Sequence, residues 1–148
     1  LPGPPRSRRV SAAMPARPPV PSLLDPAGRQ AMSEPSPEEV VRHFFDCYTN
    51  GSPEDFDQCV GPDYVDYGHE PPGIGPDGAR ADYENAVRMA GGVITYTIDA
   101  LIADADVVAA AWTGTMPGGG TYQGLSLFRV TGGLLRSTRH ALIGGLPV

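Results

Sequence analysis

Apolar positions along this chain recur first at a helical period and then at an alternating one. Val40, Val41, Phe44, Phe45 and Tyr48 fall on one helical stripe. Ser36, Pro37, Glu38 and Glu39 precede it as a capping box with proline at the first helical position. Asn50 and Gly51 close the helix, because both accept the left-handed conformation. Ser52 and Pro53 open a second, shorter helix that buries Phe56 and Val60 and stops at Gly61 and Pro62. An extended piece over 63–67 and a Pro/Gly-rich loop over 68–75 follow. Asp77 caps a third helix, with Tyr83, Ala86, Val87 and Ala90 on one face and Gly91 and Gly92 as its stop.

From residue 93 the period changes to two. Ile94, Tyr96, Ile98, Ala100 and Ile102 alternate with Thr95, Thr97 and Asp99 over a strand at 93–103. Strands at 107–116, 121–130 and 134–143 follow, separated by turns at 104–106, 117–120 and 131–133. The glycine-rich turn at 117–120 joins two strands and opens no helix, so it does not cradle phosphate. Helices first and an antiparallel meander second predict an α+β domain with its helices on one face of the sheet. Such a curved sheet around helices leaves a cavity, and function rests on the side chains that enter it.

Charge divides the chain at the same place as the periodicity. Residues 1–31 carry about +4 and hold eight of the seventeen prolines, with almost no apolar pattern. That segment reads as a disordered Pro/Arg-rich tail, since it cannot bury enough surface to offset its ordering entropy. Arg8 and Arg9 precede no continuous apolar run, so they do not make an export signal. Met32, just before the first capping box, reads as the start of the folded domain, 32–148. The domain carries about −10, which argues against nucleic acid as a partner. No apolar run reaches the roughly 20 residues of a membrane span, and a cytoplasmic protein is expected. All eleven basic residues are arginine, which reads as GC-rich coding rather than function. Cys47 and Cys59 lie on helical apolar patterns and read as small core residues. No Cys/His spacing supports a metal, and no dinucleotide fingerprint is present.

Several segments together resemble the nuclear transport factor 2-like superfamily, and within it the SnoaL-like polyketide cyclase group. They are Tyr48 to Gly51, Gly61 to Asp66, Asp99 to Asp104, Trp112 to Gly114 and Leu127 to Gly133, in this order. The resemblance covers roughly 36–145. It implies a conical barrel, a strongly curved, mostly antiparallel sheet wrapped around three N-terminal helices, with an apolar pocket. It also implies a small-molecule substrate or ligand and, commonly, a homodimer. Members include cofactor-free cyclases and isomerases as well as non-catalytic binding and dimerisation modules.

Enzymes of this type use a carboxylate to take a proton beside a carbonyl, and other groups to stabilise the enolate. Asp66 is the candidate base. His69 and Glu70 fall in the next loop, near the cavity mouth, while Tyr64, Tyr67 and Asp82 cannot be told from structural residues. On the family pattern Ser137, Arg139, Ala141 and Ile143 share one face of the last strand. If that face is inward, Arg139 is the electrostatic partner of Asp66; one residue of register shift puts His140 there instead. Tyr96, Trp112, Tyr122, Ser126, Phe128 and Ile143 are candidate pocket lining. The resemblance also exposes departures. Arg139 stands where many SnoaL-like cyclases have Trp, Ile143 where they have a catalytic Asp, and Ser126 where ketosteroid isomerases hold an oxyanion Asp. The helix-1 Tyr of those isomerases falls near Phe44. The expected function is cofactor-free acid–base chemistry, cyclisation or isomerisation, on a carbonyl-bearing, polyketide-like substrate. The alternative is a non-catalytic ligand-binding or dimerisation module of the same fold.

Overall fold

The structure, a computed structural model, describes residues 33–144. The tail expected over 1–31 and the start expected at Met32 lie outside the described residues. Helix α1 spans Pro37–Thr49. Its capping box is reciprocal: the Glu39 N–H donates to Ser36 Oγ at 3.2 Å, and the Ser36 N–H donates to Glu39 Oε2 at 2.7 Å. A 3₁₀ turn, Pro53–Gln58, buries Phe56. It ends earlier than the sequence pattern suggests, and Val60 opens a strand, β1, Val60–Asp66. Gly61 and Pro62, read as a helix stop, therefore lie inside a strand. The parallel pairing of β1 with the last strand is irregular between Val60 and Val65, so the missing proline N–H leaves no gap in a regular ladder.

The loop after β1 holds a two-residue strand, β2, Gly73–Ile74, which pairs antiparallel with the end of β1. Helix α2 spans Gly75–Ala90. It starts two residues before the expected Asp77 cap, with Gly75 at φ +63° and Pro76 next; Asp77 instead pairs with Arg80 at 2.6 Å. Strands β3, Thr95–Asp104, β4, Val107–Thr115, β5, Thr121–Thr131, and β6, Leu134–Ile143, form the antiparallel meander. The sheet order is β2-β1-β6-β5-β4-β3. The result is an open, curved α+β cone, with two α-helices and a 3₁₀ turn where three helices were expected.

Two bulges decide which side chains face the core. In β3, Ile98 pairs with Trp112 and Ala100 with Ala111, so Asp99 is the extra residue. Beyond it the faces exchange: Leu101 packs against the core and Ile102 is 72% exposed. The single alternating face expected from Ile94 to Ile102 is thus broken in the middle. In β6, Arg129 pairs with Ser137 and Val130 with Leu135, leaving Arg136 as the extra residue. Leu135 and Thr138 are therefore both buried although they are three positions apart. The face shared by Ser137, Arg139, Ala141 and Ile143 points away from the helices.

The core is aromatic. Phe44 lies 5.5 Å from Phe56 and 6.0 Å from Phe128, centroid to centroid, in tilted and edge-to-face contacts that suit ring quadrupoles. Cys47 and Cys59 are free thiols buried in the same cluster. Among the described residues no helix is long and apolar enough to cross a membrane.

Candidate functional site

A cavity of about 180 Å³ lies between α1, α2 and the inner face of the sheet. Its wall is mainly aromatic, with Phe44, Phe45, Tyr96, Trp112, Tyr122 and Phe128 among the lining residues. The polar side chains on this wall are organised in two sets.

The first set stands where β1 ends. Asp66 is the last residue of β1 and only 6% exposed. Its Oδ1 accepts the Gly68 N–H at 2.7 Å, a local turn that fixes the carboxylate. His69 follows on the loop, and its Nε2 meets Asp66 Oδ2 at 3.4 Å and Asp82 Oδ1 at 2.7 Å. Asp82 comes from α2, and its other oxygen, Oδ2, accepts the Tyr48 hydroxyl at 2.7 Å. Burial, and then the Asp82 charge, hold the Tyr48 phenol well above its usual range. His140 stands across from His69 with ring centroids 5.6 Å apart. A Cβ added to Gly68 would stand 2.7 Å from His140 Nε2, so glycine lets that imidazole lie against the loop.

The second set consists of hydroxyls farther along the wall. Tyr96 and Tyr122 share a hydrogen bond at 2.8 Å, and burial raises both phenols. The Trp112 indole N–H donates to Ser126 Oγ at 2.8 Å, and the Tyr64 hydroxyl donates to Thr138 Oγ1 at 3.0 Å.

Asp66, His69, His140, Tyr96, Trp112, Tyr122, Ser126 and Phe128 therefore all line the cavity. Arg139 and Ile143 do not: the Arg136 bulge turns both to the outer face. There the Arg139 guanidinium stacks over the Tyr67 ring at 4.3 Å, and Ile143 is half exposed. Arg139 is thus no partner for Asp66, and the even-numbered register brings His140 to the cavity, where it stays exposed at the rim. Asp82 and Tyr48 were not singled out from the sequence. Asp82 sits three residues after buried Ala79 and four before Ala86, so it is a polar residue on the packed stripe of α2. The phenol that the resemblance puts near Phe44 enters one turn later, at Tyr48. Ligand atoms of Asp66, His69 and Asp82 lie within 4.8 Å of one another, a span that could hold one cation.

An open, curved sheet closed by two helices over a buried carboxylate and two imidazoles defines a pocket protein of the nuclear transport factor 2-like class. A family model described as SnoaL-like domain matches residues 41–138, and the chain belongs to that family. Solved structures agree on the fold. IdmH of Streptomyces antibioticus, described as a candidate polyketide cyclase, is 19% identical with a TM-score of 0.58, over 72% of this chain and 91% of its own. A candidate polyketide cyclase of Acidithiobacillus ferrooxidans is 23% identical with a TM-score of 0.59, over 75% and 91%. A nuclear transport factor 2-like protein of unknown function from Cytophaga hutchinsonii reaches a TM-score of 0.62 at 13% identity, over 75% and 93%. No curated protein matches the chain.

Proposed function

We propose that this protein is an acid–base enzyme of the cyclase or isomerase type, working with its own side chains on a carbonyl compound. The observation that carries the reading is Asp66: a carboxylate 6% exposed in an aromatic cavity, with its Oδ2 left to a long 3.4 Å approach from His69. Burying a carboxylate this way is costly, and a carbon acid placed beside it would meet a poorly solvated base. Asp66 takes a proton from the carbon next to the carbonyl. The enolate then closes on a second carbonyl or is reprotonated at another carbon. Asp66 itself gives the proton back, to the alkoxide formed on closure or to the other carbon, while His140, across from His69, is the imidazole available to the enolate oxygen. Asp82, held by Tyr48, positions His69. The enclosed volume slightly exceeds the roughly 150 Å³ that accepts a benzene ring, so one ring reacts at a time and any longer polyketide-like chain extends through the mouth.

Deuterium exchange tests this without a known substrate. In D₂O, NMR would follow exchange beside the carbonyl in a panel of one-ring ketones and diketones. The wild type should exchange at least one of them, and Asp66→Asn should slow that exchange by about 10²-fold or more. Exchange at the wild-type rate in Asp66→Asn would overturn the mechanism. The non-catalytic module predicts a closed apolar interior with Asp66, Arg139 and His140 all in solvent; Arg139 and His140 are exposed, and the burial of Asp66 is what favours the enzyme.

The same protein is proposed to be a homodimer through the outer face of its sheet. Ile102, Leu125 and Leu127 stand exposed there, beside Ala109 and Ala141, in a shallow apolar groove that one two-fold axis would cover with its own copy. Sedimentation should give twice the chain mass for the wild type and the chain mass for Leu127→Glu. A monomeric wild type would sink the proposal.

A further inference from the structure

We propose that the pocket selects a compact organic cation, a one-ring compound that carries an amine in its ammonium form. This rests on the cavity being the functional site, but not on any proton transfer there.

The argument begins with charge. Two carboxylates, Asp66 and Asp82, face the cavity, and no arginine or lysine is among its lining residues. The titratable bases on the wall are His69 and His140. His69 Nε2 meets both carboxylates, at 2.7 Å and 3.4 Å, and one N–H cannot point along both directions. The shorter approach is to Asp82, whose second oxygen already holds the Tyr48 hydroxyl. Asp66 Oδ2 is left with a contact well beyond the 2.7–2.9 Å of a charge-assisted bond. With a proton on His69, the three groups at the end of β1 still sum to one negative charge. A carboxylate more than nine-tenths buried, whose Oδ1 holds the Gly68 N–H at 2.7 Å and whose Oδ2 has only this long contact, is a place for a positive ligand on Oδ2.

The rest of the wall suits the same chemistry. Tyr96, Trp112 and Tyr122 meet edge to face, with centroids 5.4 to 6.4 Å apart, and offer the π surfaces that attract an ammonium and the atoms next to it. An ammonium has three donors and no acceptor, so it can reach Asp66 Oδ2 and Asp82 Oδ1 together. A carboxylate or phosphate ligand would meet two like charges and no arginine or lysine. The folded domain's charge of about −10 has the same sign, so the general field also draws cations inward.

The test uses the full chain and three probes of one shape: benzylamine, benzyl alcohol and benzoate, titrated at pH 7.5 by calorimetry. Benzylamine, as its ammonium, should bind at least tenfold more tightly than benzyl alcohol, and benzoate should show no saturable binding. Asp66→Asn and Asp82→Asn should each weaken the ammonium about tenfold and leave the alcohol unchanged. Should either variant fail to fold, the wild-type charge series decides alone. Equal affinity for ammonium and alcohol, or saturable benzoate binding, would overturn the proposal. So would one-to-one binding of Mn²⁺ or Zn²⁺, titrated alone, that excludes benzylamine, since the three groups would then be a metal site. Deuterium exchange on neutral ketones can succeed where this charge preference fails, and the reverse, so the two readings fall separately.

Discussion

Replacing Gly124 by alanine tests how the pocket wall is held. Gly124 pairs with Trp112 across β4 and β5, and the indole lies over the glycine. A Cβ at Gly124 would stand 2.6 Å from Cη2 and 2.7 Å from Cε2 of the ring. The nearest ring atom, Cζ2, would be closer still, and ordinary contact begins near 3.4 Å, so the ring must shift by more than about 0.8 Å. It has nowhere easy to go. Its N–H is bonded to Ser126 Oγ, and its faces and edges meet Tyr96 and Tyr122 at centroid distances of 5.4 and 5.6 Å. Overpacking of this kind costs about 1–3 kcal/mol. Breaking a hydrogen bond between two buried groups adds about 1–3 kcal/mol. Loss of glycine freedom in the unfolded chain offsets about 0.4–1 kcal/mol. Gly124→Ala should therefore lose about 1–5 kcal/mol, centred near 3, by these magnitudes. Urea unfolding read by fluorescence measures it, and Trp112 is the sole tryptophan, so its emission reports the pocket wall itself. Gly124→Ala combined with Ser126→Ala should cost less than the two singles together, because both remove the same bond. If Gly124→Ala unfolds at the wild-type midpoint with unchanged emission, the indole does not lie where this reasoning puts it.

Alkaline pH should weaken the fold through its tyrosines. Burial, and then the Asp66 charge, push the Tyr64 phenol far above the ordinary 10.0. The folded state holds that proton above the unfolded value, so its contribution is whole below pH 10 and is lost as pH climbs past it. Between pH 10 and 11 Tyr64→Phe should remove about 1 kcal/mol of the fall in unfolding free energy; parallel slopes for both proteins would contradict this. At the other end of the fold, Ser36→Ala breaks the capping box of α1 and should cost about 1 kcal/mol in urea unfolding. An unchanged midpoint would show that packing alone holds the helix start.

The succession of helices and then a four-stranded meander, the helix stops at Gly51 and Gly91 and the aromatic character of the cavity were legible in the sequence. These are local properties: a capping residue, a glycine with positive φ and a period of 3.6 or 2 act within a few neighbours of themselves. Asp66 and His69 also stand on the cavity wall, carried there by a strand end and the loop beyond it. What the tertiary structure alone decided was parity and partnership. A bulge at Arg136 adds one residue to β6, and the side-chain period of two then sends Arg139 and Ile143 outward and brings His140 to the cavity rim. The bulge at Asp99 does the same to Ile102. No local pattern marks either, because a bulge is set by pairing with a neighbouring strand. Asp82 and Tyr48 gain their meaning only when α2 lays one beside His69 and α1 brings the other within 2.7 Å, across 34 residues of sequence. Chain-local forces shaped the container; packing between distant segments chose which charges it holds.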